Sequence, residues 1–95
     1  MQEATCRTQL VIAHPTGLHA RPAVKLTRLA KGFDADIRLR ALPDGDWVDA
    51  KSIVKVISLK LKTGTAVEIE AAGPTAAAAV EALGGLVARD FDEAG

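Results

Sequence analysis

The residue types best suited to chemistry stand together in one stretch, TGLHARPA, at residues 16–23. The imidazole of His19 can be neutral and nucleophilic near pH 7. Arg21, two residues later, adds a permanent cation whose forked N–H groups match the oxygens of a phosphate. Pro22 is typical of the first turn of a helix, because the backbone N–H that proline lacks would have no partner within the helix at that position. The stretch therefore predicts a nucleophile and a cation where a helix begins.

The segment after His19 has the pattern of an amphipathic helix over residues 20–31. Apolar residues recur there at three- and four-residue spacing, at Ala23, Leu26 and Ala30. His19 would be the N-cap, with Ala20 and Arg21 in the first turn. First-turn N–H groups have no partner within the helix, and the helix dipole is positive at that end, so together they bind anions. This predicts phosphoryl transfer through a phosphohistidine, with His19 and Arg21 catalytic and Ala20 and Arg21 binding the phosphate.

Alternating and helical patterns place the other elements around this site. Strands are predicted at residues 7–13, 34–42, 46–50 and 65–72, and further helices at residues 52–60 and 74–91. In the second strand Ile37 and Leu39 point to one face, and Arg38 and Arg40 to the other, so one face of the sheet is wet. Trp47 is predicted to point outward. The order βαββαβα predicts an α/β (α+β) fold, an open-faced two-layer sandwich in which three helices cover one face of a four-stranded antiparallel sheet.

Length and composition narrow the classes of protein. At 95 residues the chain has room for a single domain over residues 1–95, with residues 1–6 and 92–95 predicted as tails. Lys and Arg total 12 and Asp and Glu total 12, so the zero net charge argues against a nucleic-acid partner bound through bulk electrostatics. The N-terminus lacks the apolar stretch of a signal peptide, and no apolar run approaches the length of a membrane span. We therefore predict a cytoplasmic protein with no membrane partner.

Neither a metal nor a cofactor is predicted. Cys6 is the only cysteine, so an internal disulfide is excluded and the usual metal-binding cysteine spacings are absent. A single cysteine also fits a reducing compartment. His14 and His19 have no third ligand near them in sequence, so a metal pair is not favoured, and His14 is predicted to be an ordinary histidine at a strand end.

Two segments carry a family resemblance. TGLHARPA, followed downstream by AKSIVKVISL, resembles HPr, the histidine phosphocarrier of the bacterial sugar phosphotransferase system, and the likeness runs from about residue 8 to residue 91. HPr proteins fold as an open-faced β-sandwich with three helices on one side. The resemblance implies that His19 accepts a phosphoryl group from the phosphohistidine of Enzyme I, charged by phosphoenolpyruvate, and passes it to a IIA-type acceptor. Such a carrier is a transfer intermediate more than a turnover enzyme.

The resemblance also assigns single residues. Arg21 matches the active-site arginine of the family, and Ser52 matches the serine that a dedicated kinase phosphorylates in some lineages. Lys55 departs from the pattern, since many members have glycine there, and His14 and Trp47 are not part of it. A similar domain occurs inside larger phosphotransfer proteins, including the phosphoryl donor to dihydroxyacetone kinase.

The second predicted helix carries more apolar residues than one buried face requires. Val56 and Leu59 can supply the stripe that faces the core. An apolar surface is then left outside, which usually marks a site for a partner. The predicted partner-binding residues are Ile53, Val54, Lys55 and Ile57. The alternative is that this helix is buried more deeply.

Other interpretations of the same residues stay open. His19 could be an ordinary N-cap with a solvent-facing ring, Arg21 a solvated charge, and Ser52 a plain helix cap. The alternative function is a regulatory binding module that acts through Ser52 and the apolar surface of the second helix; an intact His19 favours the carrier. A small-molecule phosphatase is less favoured, because the sequence offers no second catalytic group.

Overall fold

Seven elements follow one another in the order that the sequence predicts. The computed structural model describes residues 5–13, 20–89 and 91. The elements are β1 (Thr5–Val11), α1 (Ala20–Lys31), β2 (Asp36–Ala41), β3 (Val48–Asp49), α2 (Ile53–Ser58), β4 (Ala66–Ala72) and α3 (Ala76–Ala88). The strands form one antiparallel sheet in the order β1-β4-β2-β3. This confirms the predicted open-faced sandwich.

The core lies between the sheet and the three helices. Alternate residues of the central strands are buried, because a pleated strand turns every second side chain to the same face. In β2 and β4 these are Ile37, Leu39, Val67, Ile69 and Ala71, and the helices meet them with residues that include Ala23, Leu26, Val56 and Leu83. Helix α3 packs on β1 and β4, while α1 packs against α2 and α3. The three helices therefore hold one another as well as the sheet.

Apart from those of α1, the predicted bounds differ from the observed ones by up to three residues, and two of these differences change the sheet. Strand β1 begins at Thr5, and Thr5 and Cys6 pair with the last residues of β4, so these two belong to the sheet and not to an N-terminal tail. The predicted strand began at Arg7, whereas the pairing with β4 extends two residues further, to Thr5. Strand β3 is only two residues long, shorter than the predicted 46–50. The predicted tail at 92–95 lies outside the described residues.

The turn between β2 and β3 requires a glycine. A β-carbon at Gly45 would lie 2.6 Å from the carbonyl oxygen of Ala41, closer than real contacts allow. The Gly45 N–H donates to that same oxygen at 2.8 Å. This tight turn places Trp47 over β2. The guanidinium carbons of Arg38 and Arg40 lie 4.8 and 4.6 Å from the centre of the Trp47 ring. Trp47 points away from the helices, as predicted, and both contacts are cation–π interactions.

Two glutamates of the central strand are buried on the open face of the sheet. Glu68 and Glu70 are only 6% and 5% exposed. Arg7 from β1 donates to Glu70 at 2.6 Å, and Arg38 from β2 donates to it from both Nε and a terminal nitrogen. A terminal guanidinium nitrogen of Arg40, also from β2, lies 2.9 Å from Glu68 Oε1. The prediction of a wet face therefore holds for β1 and β2 but not for β4, because arginines from these two neighbouring strands cover its carboxylates.

The ion pairs between these arginines and Glu70 make the stability of the fold depend on pH. The hydrogen bond from Arg38 lowers the pKa of Glu70 below its ordinary value of 4.5; burial opposes the shift and Arg7 adds to it. A carboxyl group whose pKa is lower in the folded state stabilises the fold above pH 4.5, and that contribution is lost as the pH falls through the folded pKa. We expect Glu70→Gln to cost about 1–2 kcal/mol at neutral pH, since two hydrogen-bonded cations lose their carboxylate.

Urea unfolding at a series of pH values measures this effect. The cost of Glu70→Gln should shrink as the pH falls below 4.5, because the parent protein loses the same interaction there. Glu81→Gln, at an exposed position of α3, is the matched control and should leave the profile unchanged. A Glu70→Gln profile that runs parallel to that of the parent protein would contradict the role of the carboxylate.

Candidate functional site

Helix α1 begins at Ala20, directly after His19 in the sequence. Ala20 and Arg21 are exposed in its first turn, while Pro22 and Ala23 are buried. The predicted limits of this helix are thus confirmed, and its first turn presents Arg21 at the surface. His19 and His14 lie outside the described residues, so the N-cap position of His19 stays a prediction.

A shallow groove runs along the exposed side of α1. It has a volume of about 300 Å³ and is lined by Ala20, Arg21, Val24, Lys25 and Arg28. The three basic residues are four and three positions apart, which places them on one face of a helix. We call this feature the α1 groove. Its charge could have been predicted from that spacing.

Phe91, three residues beyond the end of α3, contacts the α1 groove. Lys25 Nζ donates to the carbonyl oxygen of Phe91 at 2.9 Å, and the side chain of Phe91 is fully buried. Lys25 lies one helical turn after Arg21, so the fastening point is close to the first turn of α1. Sequence reasoning missed this contact because its two partners are 66 residues apart.

Ser52 is the N-cap of α2, as predicted. Its Oγ accepts a hydrogen bond of 3.4 Å from the backbone N–H of Lys55, and its backbone is extended. A serine at this position satisfies one of the N–H groups that the helix leaves unpaired. The cap contact explains the residue on structural grounds, and the modification of Ser52 stays a prediction.

Helix α2 exposes an apolar surface that is smaller than predicted. Val54 is 75% and Ile57 39% exposed, and Lys55 is exposed between them, whereas Val56 is fully buried. We call these three exposed residues the α2 patch. The prediction that Ile53 lies outside is wrong, since Ile53 is partly buried and packs against the core. Three residues separate Ile53 from Val56, a spacing that puts both on the same side of a helix.

The α1 groove and the α2 patch lie on helices that pack against each other. Together they combine cations with exposed aliphatic side chains, which suits a partner with acidic groups around an apolar contact. Within residues 5–13, 20–89 and 91, no three His, Cys, Asp or Glu side chains are grouped so as to hold a metal ion. Among these same residues, no helix is both long and apolar enough to cross a membrane.

Comparison with known proteins identifies the family. The family model described as the PTS HPr component phosphorylation site matches residues 6–89. The chain belongs to the HPr family of the phosphotransferase system. Two curated relatives match most of their length: phosphocarrier protein NPr of Escherichia coli (strain K12), 37% identical over 94% of this chain and 98% of that protein, and phosphocarrier protein HPr of Vibrio cholerae, 44% identical over 83% and 91%. Both relatives are phosphocarriers, although they carry different names.

Solved structures of the HPr family have the same fold. HPr-C-His from Thermoanaerobacter tengcongensis superposes with a TM-score of 0.87 at 34% identity, covering 94% of this chain and 98% of that one. A multiphosphoryl transfer protein of Vibrio cholerae is 46% identical over 77% of this chain, which spans 18% of its length. HPr-type domains thus occur both as small proteins and within larger ones. Membership of the family makes this chain an HPr-type phosphocarrier, which implies phosphotransfer partners.

Proposed function

We propose that the chain accepts a phosphoryl group on His19 from the phosphohistidine of Enzyme I and passes it to a IIA-type acceptor. The observation that carries the proposal is the position of His19 in a chain of the HPr family. It comes directly before the first residue of α1, whose first turn exposes Ala20 and Arg21. A nucleophile in that position has an anion-binding helix end and a guanidinium beside it.

The chemistry requires little of the protein beyond position and charge. The lone pair of a neutral imidazole nitrogen of His19 attacks phosphorus, and the P–N bond of the donor histidine breaks as the new N–P bond forms. One phosphoramidate replaces another, so no oxidant and no further reactant are needed. Charge is spread over the three oxygens of the moving group, where Arg21 and first-turn N–H groups stabilise it. Passage to the acceptor returns His19 to its starting form.

The distribution of charge along the chain suits acidic partners. Nine of the 12 Lys and Arg residues lie in residues 4–33 and 50–67, and these two segments contain no Asp or Glu. They include all of α1 and α2. Five of the nine lie in these two helices, so a chain with no net charge has basic residues concentrated on two adjacent helices. Such a surface steers acidic proteins to the site and raises their rate of association.

Incubation with Enzyme I and phosphoenolpyruvate tests this function. We expect the mass to rise by one phosphoryl group, and the group to be lost in acid and retained in base, as a phosphoramidate is. Addition of a IIA-type protein should then remove it. No gain in mass, or a phosphate that survives acid, would contradict the proposal.

Ser52 supports a second role, in regulation by a serine kinase. Its hydroxyl bonds to the backbone of Lys55, a residue of the α2 patch, so a phosphate there would add a charge of about −1.5 to −2 at the edge of that patch. We expect Ser52→Asp to raise the KM of the chain as a substrate of Enzyme I about threefold at low salt and less at high salt, because the added charge repels an acidic partner. Steady-state kinetics at two salt concentrations measure this.

Ser52→Ala is the matched control for the loss of the cap. It removes the hydroxyl without adding charge, so it should cost about 1 kcal/mol of stability and leave the KM unchanged. If Ser52→Asp transfers with the parent KM at low salt, Ser52 is a plain helix cap.

A further inference from the structure

We propose that Lys60, in the turn that ends α2, is a docking residue for a carboxylate group of the phosphotransfer partners, and that it stands where glycine would make the fold more stable. The docking role rests on the proposed function, since it requires acidic partners that bind beside α2. The effect of Lys60 on stability does not depend on that function, so the two parts can be tested separately.

Lys60 occupies the position directly after the C-cap of α2. Helix α2 ends at Ser58, and Leu59 is its C-cap. The N–H of Lys60 donates to the carbonyl oxygen of Ile57 at 3.0 Å, and the φ of Lys60 is 52°, in the left-handed region. Many helices end in this way, and glycine is the usual residue at the left-handed position because it has no β-carbon. Lysine is less stable in that conformation.

The burial of the next residue explains why the chain turns at Lys60. Leu61 is only 4% exposed and belongs to the hydrophobic core, as does Val56 in the last turn of α2. A hydrophobic contact between two residues at these positions commonly accompanies a left-handed helix end. The turn therefore returns Leu61 to the core, and it requires the left-handed conformation at residue 60 whichever side chain stands there.

The contacts of the described residues give no structural reason for a lysine in this turn. Lys60 is exposed, and its ammonium group forms no hydrogen bond or ion pair with any of them. Glycine would allow the same turn with less strain. Residues that persist in an unfavourable backbone conformation are concentrated at functional sites, where the strain accompanies a role in binding or catalysis. The conformation of Lys60 and its unpaired charge together indicate a contact with another molecule.

The position of Lys60 suits a partner that covers the α2 patch. Its hydrogen bond to Ile57 places it directly after a residue of that patch. The chain then returns to the end of β1, where the N–H of Gly64 donates to the carbonyl oxygen of Ile12 at 2.7 Å. Residues 50–67 contain no Asp or Glu, so no carboxylate of this segment competes for the ammonium group. An acidic group at the edge of a docked partner is the complementary contact.

Three substitutions at this one position separate the backbone strain from the charge. Lys60→Gly removes both, Lys60→Gln removes only the charge, and Lys60→Arg keeps both. We expect the melting temperature to rise by about 2–5 °C in Lys60→Gly and to change by less than about 1 °C in the other two variants. Differential scanning calorimetry of the full chain without any partner measures this.

The kinetics with Enzyme I should follow the charge instead. We expect the KM of the chain as a substrate to rise roughly two- to fivefold at low salt in Lys60→Gly and Lys60→Gln, with the maximal rate unchanged. Lys60→Arg should keep the KM of the parent protein, because it keeps the cation. The rise should largely disappear near about 0.5 M salt, where exposed charges are screened.

Each part of the proposal has its own contrary result. A melting temperature that does not rise in Lys60→Gly would overturn the effect on stability. A parent KM in Lys60→Gln at low salt would overturn the docking role, whatever the melting temperatures. Failure of the proposed function would appear differently, as a parent chain that gains no acid-labile phosphoryl group. Titration calorimetry with Enzyme I, which needs no transfer, would then decide the docking role, and equal dissociation constants for the parent protein and Lys60→Gln would refute it.

Discussion

We expect His19→Ala to abolish acid-labile phosphoryl labelling by Enzyme I and phosphoenolpyruvate. The imidazole supplies the atom that bonds to phosphorus, and no other group in the TGLHARPA stretch has a comparable lone pair at neutral pH. The loss should be complete within the detection limit of mass spectrometry, because the nucleophile itself is removed. Thermal unfolding of the variant should match that of the parent protein if His19 stands at a surface-exposed helix end.

The second histidine of the chain is the natural control. His14→Ala should keep its labelling, because only His19 is joined directly to the start of α1. Arg21→Ala should slow transfer by about 10²-fold and still reach full labelling, because the guanidinium stabilises charge and forms no bond to phosphorus. Labelling that survives in His19→Ala would show that another residue is the nucleophile.

We expect Val54→Glu to weaken the binding of both the donor and the acceptor. Val54 is the most exposed large apolar residue among those that the structure describes, and it lies between the helix cap and Ile57 on α2. A carboxylate in the α2 patch would replace an apolar contact and repel an acidic partner. Losses at such central contacts are commonly about 2 kcal/mol, a roughly thirtyfold rise in the dissociation constant. Calorimetry or relaxation-based NMR titration with each partner measures it.

Two variants separate binding from folding. Ala78→Glu introduces the same charge at an exposed position of α3, where it should leave both dissociation constants unchanged. Ile53→Glu should lower the melting temperature, because Ile53 packs against the core, whereas Val54→Glu should not. Full affinity in Val54→Glu would exclude the α2 patch as a docking surface.

The predictions for His19 and Val54 differ in the kinetic constant they affect. Removal of the nucleophile should eliminate turnover at any concentration of Enzyme I. A change in the α2 patch should raise the KM and leave the maximal rate of transfer nearly intact, since a saturating partner overcomes weaker docking. The two effects together would assign chemistry to the start of α1 and recognition to α2.

Local patterns were sufficient to predict most of the fold. The limits of α1, the order of the seven elements and the inward residues of β2 and β4 agree with the structure. Each depends on a period of about 3.6 or 2 residues, which the backbone geometry of a helix or strand imposes on any chain. The position of Ser52 as a cap was predictable for a similar reason, because capping involves only the next three residues.

The candidate site likewise has a part that the sequence predicts and a part that depends on how the helices pack. The types and order of His19, Ala20 and Arg21 are visible in the sequence, since all three stand within one helical turn. The exclusion of Ile53 from the α2 patch is not, because a six-residue helix is too short for its pattern to show which side meets the core. That choice follows from how α2 packs against the rest of the molecule.

Contacts between groups far apart in the chain could not be predicted from the sequence. Alternation predicts that Glu68 and Glu70 face away from the helices, but their burial depends on arginines that β1 and β2 bring from 28 to 63 residues away. The hydrogen bond between Lys25 and Phe91, which holds Phe91 at the α1 groove, spans 66 residues. A sequence pattern reports the period of one element. Which side chains cover a strand or border a groove depends on how separate elements pack, and that packing has no period along the chain.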